Sequence, residues 1–155
     1  MAVQKNINIQ NKKARFEFEI LDKFVAGIQL TGTEIKSIRL SQARITESFC
    51  EFNDRGELFI VNMYIQEYMF GHHFNHKPKS ERRLLLNKRE LKSLKKDVEA
   101  KGNTIVPLRL FINDRGFAKL EIALAKGKQT HDKREAIKDR DSKRDLARIK
   151  KSFNS

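Results

Sequence analysis

The spacing of apolar and polar residues changes several times along this chain, and each change marks an element. Residues 1–13 read as a polar arm whose end is basic around Asn11, Lys12, Lys13 and Arg15. Phe16, Phe18 and Ile20 then alternate with Arg15, Glu17 and Glu19. A period of two predicts a half-buried strand. Thr31-Gly32-Thr33-Glu34 has capping-box spacing, with Leu30 and Ile35 placed as a hydrophobic staple. It predicts a short helix over about 32–40, with Ile35 and Ile38 inward and Lys36 and Arg39 on or near the exposed side.

Residues 44–52 and 57–65 are rich in Phe, Ile and Val and flank Asn53-Asp54-Arg55-Gly56. The same four residue types recur as Asn113-Asp114-Arg115-Gly116 between the apolar runs 105–112 and 117–125. Asn and Asp favour the turn and Gly supplies positive φ, so both predict hairpins. The flanking sequences do not match, which points to shared turn chemistry rather than duplication. In the second hairpin Val106, Leu108, Leu110 and Ile112 are expected on one face, with Leu120, Ile122 and Leu124, while Lys119 and Glu121 face away.

Residues 66–83 read as a surface loop holding His72, His73 and His76. Asn87 then looks like the N-cap of a second helix, with Glu90 at N3 and a Leu86–Leu91 staple. Leu91, Leu94 and Val98 give its inner stripe, and Gly102 is expected at the C′ position. Several antiparallel strands with two or three short helices predict a mainly β fold. A closed antiparallel β-barrel of OB-fold type hides the strand edges of such a domain. The expected organisation is an arm over 1–13, a barrel over 14–125 and a tail over 126–155.

The tail differs in kind. Lys126, Lys128, Lys133, Arg134, Lys138, Arg140, Lys143, Arg144, Arg148, Lys150 and Lys151 face Asp132, Glu135, Asp139, Asp141 and Asp145, a net +6. Its few apolar side chains cannot order it alone. Asp141–Arg144 and Asp145–Arg148 have helical spacing, and each such pair is worth about 0.2–0.5 kcal/mol. The tail is expected to be disordered in isolation and helical against a polyanion.

Charge sharpens the picture. Across 155 residues, 33 Lys and Arg oppose 20 Asp and Glu, for a net +13, which makes a polyanion the first candidate partner. No apolar run is long enough to span a bilayer, and no apolar h-region opens the chain, so a cytoplasmic protein is expected. Cys50 is the single cysteine, which excludes an intramolecular disulfide and a Cys-based zinc site. The three loop histidines lack a nearby Cys or acid and read as surface residues. Lys126-Gly127-Lys128 is not a P-loop: no Gly precedes it at the required spacing, and Gln129 follows. No catalytic constellation, metal site or cofactor motif emerges. The residues alone leave open an RNA-binding barrel of ribosomal or ribosome-assembly type.

Several segments together resemble the SsrA-binding protein family, also called small protein B. They are Asn11-Lys12-Lys13-Ala14-Arg15, Ala26-Gly27, Leu30-Thr31-Gly32-Thr33-Glu34, and Lys36-Ser37 with Arg39. Further on come residues 83–90 (RLLLNKRE), Val106-Pro107-Leu108, Leu124-Ala125-Lys126-Gly127-Lys128 and His131-Asp132-Lys133-Arg134-Glu135, with Lys138, Arg140-Asp141 and Lys143-Arg144 beyond. The resemblance implies an OB-fold barrel that binds the tRNA-like domain of transfer-messenger RNA. It implies delivery of that RNA to stalled ribosomes in the bacterial cytoplasm, where protein and RNA together imitate a tRNA and the protein replaces the anticodon arm. The nascent peptide is then tagged and the ribosome released.

By the same resemblance, Asn11, Leu85 and Asn87 are expected to contact the RNA. Lys12, Lys13, Arg15, Lys36 and Arg39 are added here on physical grounds as phosphate ligands. In the message channel and decoding centre the tail would act through Lys126, Lys128, His131, Asp132, Lys133, Arg134, Lys138, Arg140, Lys143 and Arg144. His131 would stack on unpaired bases. The partners implied are transfer-messenger RNA and the ribosome, with no membrane, and a monomer is expected. Two positions depart from the family pattern: Val25 where Glu is common, and Ser142 where Trp is common.

Overall fold

The computed structural model describes residues 6–100 and 102–127. Expectations for the tail from Lys128 onward lie outside the described residues, among them its disorder, its helicity and its contacts through Lys128, His131, Asp132, Lys133, Arg134, Lys138, Arg140, Lys143 and Arg144.

The protein is mainly β. Among the described residues, nine strands run as β1 (Asn8–Gln10), β2 (Phe18–Ile28), β3 (Ala43–Arg44), β4 (Phe49–Phe52), β5 (Leu58–Val61), β6 (Tyr64–Ile65), β7 (Arg82–Leu85), β8 (Asn103–Ile112) and β9 (Ala118–Gly127). Three helices join them: α1 (Lys12–Glu17), α2 (Gly32–Arg39) and α3 (Lys88–Val98). Seven strands form one sheet in the order β1-β8-β4-β5-β7-β2-β9, and β8 also pairs with β9. The pairings therefore run from β8 through β4, β5, β7, β2 and β9 and back to β8. Strands β3 and β6 pair separately. Among the described residues, no helix is long and apolar enough to cross a membrane.

The two identical turns form as their chemistry requires. Gly56 and Gly116 take φ of +78° and +87°. Asn53 Oδ1 accepts from the amides of Arg55 and Glu57, and Asn113 Oδ1 accepts from those of Arg115 and Phe117. Both long helices carry full capping boxes, Thr31 with Glu34 and Asn87 with Glu90. Ile38 and Leu94 anchor them in the main core. Burying either side chain contributes about 1.5–3 kcal/mol relative to exposure.

Several expectations need correction. Residues 12–17 are helical rather than extended, because Asn11 caps them: its Oδ1 accepts from the amide of Ala14 at 3.1 Å. Phe16 consequently lies on the surface, and the alternation begins only at Phe18. Asn8–Gln10, within the segment expected to be a polar arm, pair with β8, and Ile7 is buried. Arg82–Leu85 form a strand whose first two residues were expected in the 66–83 loop. Helix α3 ends at Val98 with Glu99 as its cap, so Gly102 turns the chain into β8 instead of capping the helix.

The inward alternation of β8 is broken by a register shift between Pro107 and Arg109. Ile105 and Leu110 enter the main core, whereas Val106 and Leu108 pack with Ala14, Ala123 and Ala125 in a second cluster beside α1. A bulge inserts one residue and re-aims the side chains that follow it. Strand β9 continues through Lys126 and Gly127, which pair with Glu19 and Phe18. It thus extends two residues past the expected end of the barrel.

Candidate nucleic-acid interface

Antiparallel register sets up the outer face. Gly27 on β2 lies opposite Leu85 on β7 and opposite Lys119 on β9. A Cβ added at Gly27 would sit 3.5 Å from Leu85 Cβ and 3.8 Å from Lys119 Nζ. A large apolar side chain, 45% exposed, and a cation therefore converge over bare backbone. Glycine in a strand often marks where another backbone or a ligand approaches closely. Lys119 in turn faces Phe111 on β8, and Phe111 faces Asn8 on β1, which extends the row across five strands.

A second row lies alongside. Val25, Glu121, Arg109 and Gln10 are cross-strand neighbours on β2, β9, β8 and β1. Glu121 Oε1 is 3.4 Å from Arg109 Nε and 3.7 Å from Arg15 Nη2. The Arg109 guanidinium lies 4.1 Å from the centroid of the Phe111 ring. One carboxylate thus holds two guanidinium groups in place beside the exposed Val25, leaving that patch with a net positive charge.

Asn87 follows Leu85 by two residues and is exposed. Its Oδ1 accepts from the amide of Glu90 at 2.8 Å, so the carbonyl side is spent on the cap. Its amide nitrogen has no partner among the described residues and remains able to donate. Asn11 is different. It is 3% exposed, its Nδ2 donates to Pro107 O at 3.0 Å and to Ile45 O at 3.5 Å, and its Oδ1 caps α1. Its side chain ties α1 to β8 and to the residue after β3.

The cations do not form one cluster. Lys12 is exposed with no ion pair among the described residues, while Lys13 is paired with Glu47. That carboxylate raises the pKa of Lys13, first through the hydrogen bond and then through its charge. Arg39 Nη2 donates to Gly116 O at 3.4 Å, which places it at the β8–β9 turn. Lys36 is exposed and lies 5.5 Å from the Tyr68 ring centroid. Lys126 is exposed on β9. His76, expected on the surface, is buried: its Nε2 is 2.9 Å from Ile65 O and its Nδ1 is 2.9 Å from Thr33 Oγ1. Sequence reasoning missed Arg109 and its bridge to Glu121, because cross-strand neighbours are far apart in the chain. Lys119 was visible only as an outward position, and Gly27 only as part of a motif.

A face of this kind defines a class, a mainly β protein whose basic outer face is suited to a polyanion. The family described as SmpB protein matches residues 8–152, and the chain belongs to it. The SsrA-binding protein of Flavobacterium psychrophilum is 68% identical over 149 residues, covering 96% of this chain and 99% of that one. That of Bacteroides thetaiotaomicron is 52% identical over 146 residues, covering 94% and 97%. A solved chain described as "tmRNA-SmpB: a journey to the center of the bacterial ribosome" is 41% identical, with a TM-score of 0.68 over 94% of this chain and 99% of that one.

Proposed function

We propose that this protein binds the tRNA-like domain of transfer-messenger RNA and delivers it to stalled ribosomes for trans-translation, acting in the cytoplasm as a single copy and without catalysis. The ring of pairings from β8 round to β9 is read as a small OB-type barrel. Its outer face is rigid because every strand in the ring has two neighbours. A rigid face suits recognition of a folded RNA by shape and phosphate position rather than by sequence.

The observation that carries this reading is the convergence of Leu85 and Lys119 over Gly27, two residues from Asn87. Leu85 would pack on a base or ribose, Lys119 would meet a phosphate, and the free amide of Asn87 would donate to an RNA oxygen. Arg15, Arg109 and Lys12 would extend the phosphate track along the second row, with Lys36 and Arg39 on α2. Asn11 acts as a positioning residue, since its own polar atoms are bonded within the protein. The tail would then occupy the empty message channel through Lys126, Lys128, Lys133, Arg134, Lys138, Arg140, Lys143 and Arg144. His131 would stack in the decoding centre, with Asp132 beside it. A message strand would exclude the tail by volume and charge, which selects stalled ribosomes.

The test is competition between a tRNA-like domain and random RNA of equal length for the full-length protein. A strong preference for the folded RNA is expected, and equal affinity overturns the proposal. Truncation after Gly127 is expected to spare RNA binding and abolish tagging. Loss of binding in solution would end that division of labour.

A further inference from the structure

The loop between β6 and β7 holds apolar side chains out in water while its backbone is firmly fixed. Met69, Phe70 and Phe74 are 56%, 63% and 90% exposed. Large apolar side chains grouped in this way mark an interaction surface. The grouping does not come from a slack segment. Asn75 clamps Tyr68 from both sides, accepting from its amide at 3.0 Å and donating to its carbonyl at 2.7 Å. The amide of Gly71 donates to Tyr68 O, and that of Phe74 donates to Gly71 O. A Cβ at Gly71 would come within 2.6 Å of Asn75 Nδ2, so the clamp requires glycine there. Below the loop, His76 is bonded to both Thr33 and Ile65.

Cations surround the rings. Lys36 sits over Tyr68, and the Arg44 guanidinium lies 4.7 Å from the Tyr64 ring centroid. Lys77 and Lys79, toward the end of the loop, are exposed, while Glu67 is the one acid between residues 64 and 80. Tyr68 and Phe70 meet edge to face, with centroids 5.6 Å apart and an interplanar angle of 73°. That arrangement leaves both faces of the edge-on ring clear of its neighbour. Beside them lies an open cleft of ≈ 490 Å³ whose lining includes Tyr64, Glu67, Tyr68, Met69, His72 and Asn75.

We propose that this loop is a second RNA-binding surface, on which unpaired bases stack against Phe70 and Phe74 while Lys77 and Lys79 hold the adjoining phosphates. Aromatic rings interleaved with cations are the arrangement that grips single strands without regard to sequence. A protein partner would use the same apolar rings, but the surrounding excess of cations and the net +13 of the chain favour a polyanion. A pre-ordered loop loses little entropy on binding. The surface is formed by the β6–β7 loop, whereas the Gly27 row is carried by β7, β2, β9, β8 and β1, so the two are built from different segments of the chain. The inference takes from the proposed function only that the protein works on RNA.

The experiment uses the full-length protein and two probes: a fluorescent 12-nucleotide single-stranded RNA and a tRNA-like domain. Phe70→Ser with Phe74→Ser removes both rings at exposed positions, and Phe74→Trp keeps a ring. The double variant is expected to lose about tenfold or more in affinity for the single strand. It should bind the folded RNA within about twofold of the parent protein, and Phe74→Trp should bind the single strand as the parent does. Crosslinks from a 5-bromouridine strand should fall on Tyr68, Phe70 or Phe74. Unchanged single-strand affinity in the double variant overturns the inference. So does a parent loop that crosslinks to a ribosomal protein and not to the 5-bromouridine strand, which would identify a protein partner. A parent protein with no preference for the tRNA-like domain, but with the stacking losses intact, would sink the proposed function and leave this surface standing.

Discussion

Glu34 uses one carboxylate oxygen to close the capping box of α2 and the other to hold the buried guanidinium of Arg82. Oε1 accepts from the amide of Thr31 at 2.8 Å, and Oε2 accepts from Arg82 Nε at 2.6 Å. The side chains are 5% and 2% exposed. Arg82 also donates to the carbonyls of Met63, Lys77 and Pro78, so one cation fastens α2, β7 and both ends of the aromatic loop. A buried pair of this kind specifies arrangement more than it adds net stability, and removing one partner strands the other.

Replacing Arg82 by Met is therefore expected to destabilise the protein by about 3–5 kcal/mol, because a buried carboxylate and three carbonyls lose their donor. Glu34→Gln, which keeps an acceptor, should cost less. Urea unfolding followed by circular dichroism measures both, and equal costs would mean that an acceptor without the charge of Glu34 does nothing for Arg82.

Asn11→Ala is expected to lower stability by about 2 kcal/mol, since a helix cap and a buried donor to Pro107 are lost together. An asparagine serving only as an RNA ligand would leave the unfolding midpoint where it is. Thermal melts of the RNA-free protein separate the two roles.

Gly27→Ala places a methyl group at ordinary van der Waals distance from Leu85 and Lys119, so the fold should tolerate it within about 1 kcal/mol. The same methyl group fills the spot where RNA would approach the backbone. Affinity for the tRNA-like domain should drop while the melting temperature holds. A variant that binds as tightly as the parent would move the contact away from Gly27.

Lys12 and Lys13 are sequence neighbours with different prospects. Lys13 is already neutralised by Glu47, whereas Lys12 has no ion pair among the described residues. Lys12→Gln should weaken RNA binding and reduce the slope of log affinity against log salt by about 1, and Lys13→Gln should change both less. Titrations at several salt concentrations decide it, and identical slopes for the two variants would refute the distinction.

Burial pushes the Cys50 thiol well above its ordinary range. The unfolded chain gives up that proton near pH 8.5, while the native chain keeps it. The native state therefore binds more protons above that pH, and stability falls as pH rises through it, by about 1.4 kcal/mol per pH unit for this one group. Below pH 8 the stability is fully present and Cys50 should resist alkylation until the protein unfolds. Comparing the pH slope of unfolding in the parent and in Cys50→Ala isolates the effect. Matching slopes would show that the thiol does not contribute.

The sequence determined the local elements by itself wherever a short-range rule is strong. Two Asn-Asp-Arg-Gly turns, two capping boxes and the apolar stripe of α3 are decided by residues within four or five positions of one another. The basic net charge and the ordered set of motifs pointed to the RNA-binding family in the same way. Short-range patterns misled where they were ambiguous. Phe16-Phe18-Ile20 suits a strand, yet a cap from Asn11 and burial of Ala14 against β8 made the first part helical. Val106, Leu108 and Leu110 suit one inward face, yet the bulge after Pro107 leaves the first two in the second core and turns Leu110 into the main one.

Only the tertiary structure decided which distant residues meet. Gly27, Leu85 and Lys119 lie on three strands, Arg15, Arg109 and Glu121 on three elements, and Glu34 and Arg82 on opposite sides of the aromatic loop. Register fixes these encounters, and register is a property of paired strands and a shared core, which no single segment contains.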